Sequence, residues 1–171
     1  DLEAPRGRFQ LVRGAVVEGS PGILGIVDYA HTPDALRNVL TTINGICHGE
    51  ERVITVVGCG GDRDRTKRPV MASIATELSS HIVLTSDNPR TEDPMTILNE
   101  MRTGIAAADH ARVFVNADRK EAIRQAVALA RPGDVVLLAG KGHETYQEIN
   151  GEKFPFDDAA VLKETLELLH N

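Results

Sequence analysis

Four short runs of this sequence each gather several side chains that could take part in chemistry. The first, Asp28-Tyr29-Ala30-His31-Thr32-Pro33, sets a carboxylate and a flat ring just before a helix-starting Thr-Pro. An Asp there can accept hydrogen bonds from ribose hydroxyls, and a Tyr offers a base a stacking face. The second, Gly58-Cys59-Gly60-Gly61-Asp62-Arg63-Asp64-Arg65-Thr66-Lys67-Arg68, joins three glycines to four cations and two acids. Glycines let backbone approach a ligand, and the mixed charges suit a phosphate or a zwitterion. The third, Ser86-Asp87-Asn88-Pro89-Arg90, presents a carboxylate, an amide and a guanidinium able to grip a carboxylate in a bidentate pair. The fourth, Gly140-Lys141-Gly142-His143-Glu144, leaves room beside small residues and offers Glu144 to an ammonium.

Known phosphate loops are not among them. Neither glycine run carries GxxxxGK followed by Ser or Thr, and Arg63 stands where the dinucleotide pattern GxGxxG requires its last glycine. An Asp nucleophile of the haloacid-dehalogenase kind is also disfavoured, because that chemistry uses a second Asp two residues on and Ala30 stands there. Taken singly, each run has a plain structural use as a helix cap, a solvated loop or a tight turn. Together they say more, provided one scaffold brings them to one place.

The elements between them supply that scaffold. Short Val- and Ile-rich runs at 23–27, 53–57, 81–85, 112–115 and 134–139 read as strands buried on both faces of a parallel sheet. Helices read between them: one opened by Thr32-Pro33, with Leu36, Val39, Leu40 and Ile43 on one stripe, others over 67–78 and 94–101, one capped by Asp118, and a last one over 157–169. Tyr146 to Ile149, Asn150-Gly151 and Lys153 to Phe156 read as a hairpin, since Asn-Gly supplies the positive φ values of a type I′ turn. The expectation is one doubly wound α/β domain with a mostly parallel, Rossmann-like sheet and an antiparallel edge hairpin. In such sheets ligands bind outside the carboxyl ends of the strands, where all four polar runs begin.

Composition narrows the function classes. A chain of 171 residues with 42% hydrophobic content can bury a single core. The net charge of -6 argues against a nucleic-acid partner. Two cysteines, Cys47 and Cys59, make neither a disulfide framework nor a metal pair, which fits a reducing, cytoplasmic setting. No apolar run is long enough to cross a membrane, so no membrane partner is expected. Residues 1–20, with Pro5, Gly7 and Gly14 and no starting Met, read as an interdomain linker and lead-in rather than an ordered first element; 21–171 read as the domain proper. The chain is therefore expected to be one domain of a longer protein.

The four runs, in this order, resemble the C-terminal domain of the Mur ligases. Within that family Asp87-Asn88-Pro89-Arg90 is similar to the version that goes with meso-diaminopimelate rather than lysine, on the acceptor UDP-N-acetylmuramoyl-L-alanyl-D-glutamate. Gly7-Arg8-Phe9 resembles the family's linker motif, whose Arg reaches nucleotide phosphates. The resemblance implies ATP- and Mg²⁺-dependent amide formation in peptidoglycan synthesis. It implies amino-acid contacts from Arg63, Asp87, Asn88, Arg90, Gly140 and Glu144, with Arg90 on the distal carboxylate and Glu144 on the distal ammonium. It assigns Arg8, Asp28 and His31 to the nucleotide. The P-loop, the metal ligands and the UDP-sugar site belong, by the same resemblance, to N-terminal and central domains that this chain does not contain, so the chain alone is expected to be inactive and to hold no catalytic or metal-ligating residue. A free-standing nucleotide or amino-acid binding module is the alternative.

Overall fold

The computed structural model describes residues 5–15 and 17–169; residues 1–4, where the expected lead begins, and residue 16 lie outside the described residues. Six strands form one sheet in the order β1-β2-β6-β3-β4-β5. They are β1 (Gln10–Arg13), β2 (Leu24–Asp28), β3 (Val53–Val57), β4 (His81–Leu84), β5 (Val113–Val115) and β6 (Val135–Ala139). All pairings are parallel except β1 with β2. The central strands β3 and β6 are buried at every position, as near-continuous apolar runs require when both faces are covered, and the one polar residue, Thr55, pairs its hydroxyl with that of Ser79 at 2.7 Å.

Helices α1 (Pro33–Ile46), α2 (Lys67–Leu78) and α3 (Pro94–Arg102) cover one face. Helices α4 (Arg119–Leu129) and α5 (Asp158–Leu168) cover the other. Their starts are set locally. Thr32 Oγ1 accepts from Ala35 N, Asp118 Oδ1 from Glu121 N and Asp157 Oδ1 from Ala160 N, each satisfying an amide that the first turn leaves unpaired. The expected stripe of α1, Leu36, Val39, Leu40 and Ile43, is buried.

Two details differ from the sequence reading. The lead contains an ordered strand after all: β1 runs antiparallel to β2, pairing Gln10 with Val27 and Arg13 with Leu24, and it forms the sheet's antiparallel edge. Only Val12 of its four residues is buried, so its apolar signal was too short to read as a strand. The hairpin forms as expected, with β7 (Tyr146–Ile149) and β8 (Glu152–Pro155) joined by Asn150 and Gly151 at φ 50° and 81°. It makes a separate two-stranded sheet rather than an edge of the large one. With β7 half-buried and β8 exposed, it has no apolar face to bury against the core, and it lies instead along the loop after β4 through a bridge between Arg90 and Ile149.

One ion pair ties the second helical layer to that loop. Arg119 and Asp158, both fully buried, meet through Nε to Oδ1 at 2.8 Å and Nη2 to Oδ2 at 2.7 Å, and Arg119 Nη1 donates to Ser86 O at 3.0 Å. Losing one member leaves a buried, uncompensated charge. Arg119→Met is therefore expected to lower stability by about 3 to 5 kcal/mol in urea unfolding, and Arg119→Met/Asp158→Leu to recover most of that loss. A double variant no more stable than the single one would contradict this reading of the pair.

Candidate functional site

The loops that follow β2, β3, β4 and β6 meet at one rim, around a cavity of about 700 Å³. Arg63, Asp87, Asn88, Arg90, Gly140 and Glu144 all line it, as do Tyr29 and His31. A second cavity, of about 400 Å³, opens near the other ends of the strands beside Pro21, Ile23, Pro132 and Leu166. Its lining is mostly aliphatic, whereas the rim cavity is lined by charged side chains of both signs.

The loop after β4 is fixed from several sides. Asn88 is almost fully buried, and its Oδ1 accepts from Lys141 Nζ at 2.9 Å and from Glu148 N at 3.0 Å, which turns Nδ2 toward Glu144 Oε1 at 3.4 Å. Gln147 Nε2 donates to Asp87 O at 2.9 Å. Arg90 sits at φ 51°, a backbone conformation that costs energy for a side chain of this kind, and the hairpin holds it there. Arg90 N donates to Glu148 O at 2.9 Å and Asn150 N donates to Arg90 O at 2.8 Å. The guanidinium is aimed too: Nη1 donates to Gly61 O at 3.0 Å and Nε faces Glu148 Oε2 at 3.3 Å. Among the described residues Nη2 has no hydrogen-bond partner, and Arg90 lines the cavity.

The loop after β3 works differently from the expectation that its glycines admit a ligand. A Cβ on Gly58 would lie 2.3 Å from Thr85 O and one on Gly61 1.9 Å from Pro89 O, so these two let the loop pack against the backbone of the next. One on Gly60 would lie 2.8 Å from Arg90 Nη1, so the absent side chain makes room for that guanidinium. Its cations are mostly committed as well. Arg68 is fully buried, bound to Glu92 and Glu100 at 2.6 Å each and to Gly60 O at 3.1 Å. Arg65 pairs with Glu100 at 2.7 Å, and Lys67 donates to His31 O at 2.9 Å. Arg63, exposed, carries the loop's remaining cation to the cavity. Burial pushes the Cys59 thiol up to about 12, so it stays protonated and offers no nucleophile.

Arg8 and Asp28 lie beside the cavity rather than in its lining. Asp28 Oδ2 accepts from Phe9 N at 2.8 Å and Oδ1 from Ala30 N at 2.9 Å, so its carboxylate docks the lead onto the end of β2. Gly7 packs against the backbone of Gly142 and His143, where a Cβ would lie 2.1 Å from His143 N. This docking brings the Arg8 guanidinium within 5.9 Å of the centre of the Tyr29 ring, itself 4.5 Å from His31 and 5.9 Å from His143. The result is a small cationic and aromatic patch at the cavity's edge.

Sequence reasoning missed Lys141, treated there only as part of a run that fails as a phosphate loop. It is fully buried, with Nζ also 3.4 Å from Asp87 Oδ1 and from Glu144 Oε1. Its flanking glycines gave no hint, because two of its three partners, Asp87 and Asn88, lie 54 and 53 positions away. Arg119 and Arg68 were missed as supports for the same reason.

A doubly wound sheet with a charged cavity at its strand ends defines a ligand-binding α/β domain. The chain belongs to the Mur ligase family: the family model described as Mur ligase, glutamate ligase domain matches residues 7–142. It is 56% identical over 168 residues to UDP-N-acetylmuramoyl-L-alanyl-D-glutamate–2,6-diaminopimelate ligase of Cytophaga hutchinsonii, covering 98% of this chain and 33% of that protein. The ligase of the same name from Bacillus licheniformis is 51% identical over 165 residues, covering 96% and 32%. A solved structure of such a ligase superposes with a TM-score of 0.86 at 45% identity, covering 98% of this chain and 32% of that one. The chain thus spans about a third of the length of the curated relatives it matches.

The Glu92 carboxylate shows how firmly the rim is tied. Hydrogen bonds from the Arg68 guanidinium, then from Asp62 N, hold it down at about 2. An unfolded Glu titrates near about 4.3, so this depressed carboxyl adds stability that is present above that pH and is lost as pH falls through about 2. The difference in Tm between the native chain and Glu92→Gln is expected to be widest near neutral pH and to close between about pH 4 and pH 2. A difference that does not change with pH would rule this out.

Proposed function

We propose that this chain is the amino-acid-binding domain of an ATP-dependent, amide-forming ligase that joins meso-diaminopimelate to UDP-N-acetylmuramoyl-L-alanyl-D-glutamate in the cytoplasm, for peptidoglycan synthesis. The observation that carries the reading is the rim cavity, which sets the unpaired corner of the Arg90 guanidinium and the Glu144 carboxylate in one lining. The relatives' names supply the reaction; the cavity supplies a reason for the amino acid. Diaminopimelate differs from lysine by one distal carboxylate. A partly buried guanidinium left without that partner penalises lysine, because an unmet charged donor costs more than a met one gains.

In this reading Arg90 binds the distal carboxylate, Glu144 the distal ammonium, and Arg63, Asp87, Asn88 and Gly140 shape the remainder of the cavity. Arg8, Tyr29 and His31 meet the nucleotide: an exposed cation beside an aromatic ring suits a phosphate and a base. Asp28 serves it indirectly, by holding the segment that carries Arg8. ATP, with Mg²⁺ held mainly by the central domain of the same polypeptide, would transfer its terminal phosphoryl group to the acceptor's carboxylate, giving an acyl phosphate and releasing ADP. This chain's contribution is positioning. It brings the attacking amine to the activated carboxylate and keeps water away while the bond forms. The free Cys47 and Cys59 are consistent with the reducing cytoplasm in which this reading places the chain.

In the full-length ligase Arg90→Ala is expected to lower kcat/KM for diaminopimelate by about 30-fold or more, since removing one partner of a desolvated charge pair costs about 2 to 5 kcal/mol. Arg90→Lys should also fall short, because an ammonium cannot copy the fork. Near-normal kinetics in well-folded Arg90→Ala, or a native enzyme that prefers lysine, would overturn the assignment. The isolated chain is expected to show no ATP turnover. Tight binding of ATP or diaminopimelate to it alone would favour an independent binding module.

A further inference from the structure

Beneath the cavity lies a layer of charge that the proposed amino-acid contacts do not use. Lys141 and Arg119, both fully buried, face three carboxylates: the fully buried Asp158, together with Asp87 and Glu144 at the cavity floor. Two cations against three carboxylates leave an excess of one negative charge. A buried charge persists only where partners compensate it, and here the compensation is one short. Asp158 is fully engaged by the Arg119 fork, and Asp87 is the less exposed of the two remaining carboxylates. The excess therefore faces the cavity at Glu144, the place of a ligand's ammonium.

What holds Glu144 there is narrow. Its Oε1 has two partners among the described residues, Asn88 Nδ2 and Lys141 Nζ, both at 3.4 Å. Asn88 has an independent anchor, because Glu148 N donates to its Oδ1 at 3.0 Å whether or not Lys141 is present. Of the two partners of Glu144, the neutral amide of Asn88 supplies only a weak, long hydrogen bond, and among the described residues Lys141 is the one that carries charge. We propose that Lys141 is a positioning residue for the amino-acid site, whose buried ammonium pins Glu144 Oε1 and leaves Oε2 turned to the cavity as the acceptor for the substrate's distal ammonium. Lys141 itself does not reach the ligand: with no exposed surface, it acts through the carboxylate. The inference rests on the proposed amino-acid site and adds to it the residue that orders the ammonium end.

The test is a double-mutant cycle in the full-length ligase with Lys141→Met, Glu144→Gln and the two together, reading KM for diaminopimelate, KM for ATP, kcat and Tm. Methionine keeps the stem's length without the charge. Lys141→Met is expected to raise KM for diaminopimelate by about tenfold or more with KM for ATP unchanged, and to add less than about threefold when Glu144 is already Gln, because coupled residues share one loss. Equal effects in both backgrounds would overturn the proposal, as would a lower Tm with no change in KM. Should Lys141→Met fail to fold, the double variant, which removes one charge of each sign, is compared with Glu144→Gln alone. A further rise in KM of tenfold there would refute action through Glu144, and a matching KM would support it. If the native enzyme takes a different amino acid, the substrate assignment falls, and the same cycle measured on that amino acid still decides the role of Lys141.

Discussion

The site depends on the Asp87–Arg90 loop being held still by polar partners, two of which, Lys141 and Arg119, are themselves buried. Its amide and guanidinium project from a turn outside the large sheet, bridged to the hairpin at Arg90, and Arg90 occupies a strained backbone conformation. Three parts of the fold hold it: the hairpin through Gln147, Glu148 and Asn150, the last strand's loop through Lys141, and helix α4 through Arg119 on Ser86 O. Each link involves a polar group that would be costly to bury alone, so removing one partner strands another. The loop's stiffness is thus a consequence of polar satisfaction, which is what a specificity pocket needs if a missing ligand carboxylate is to be penalised.

The parallel sheet makes this economical. Four strands deliver their loops to one rim, so residues as far apart in the chain as Asp28 and Gly140 become neighbours, with Gly140 N donating to Asp28 O at 3.0 Å. The second face of the sheet then contributes a floor of charge through Arg119 and Asp158. The division of labour follows from geometry: the rim presents side chains to a ligand, and the layer below decides which way they point.

Much of this was legible in the sequence. The buried strands and amphipathic helices show their period directly, and the Thr32 and Asp118 caps sit where their types suggest. The residues expected at the cavity are there, apart from Arg8 and Asp28, which lie beside it. What escaped the sequence was non-local. A four-residue edge strand with one buried side chain gives almost no periodic signal, so β1 reads as linker. The hairpin's Asn-Gly turn fixed its own geometry yet said nothing of where it would dock. The uses of Arg68, Arg119 and Lys141 are set by partners between 3 and 54 positions away, and a charged residue that will be buried looks the same in sequence as one that will be solvated.

The central claim is that one cavity of this domain reads both ends of diaminopimelate's distal centre, carboxylate at Arg90 and ammonium at Glu144. A crystal structure of the full-length ligase with meso-diaminopimelate bound tests it most directly. The account predicts the distal carboxylate within hydrogen-bond reach of Arg90 Nη2 and the distal ammonium against Glu144 Oε2. The amino acid bound with those ends reversed, or outside this cavity altogether, would contradict it.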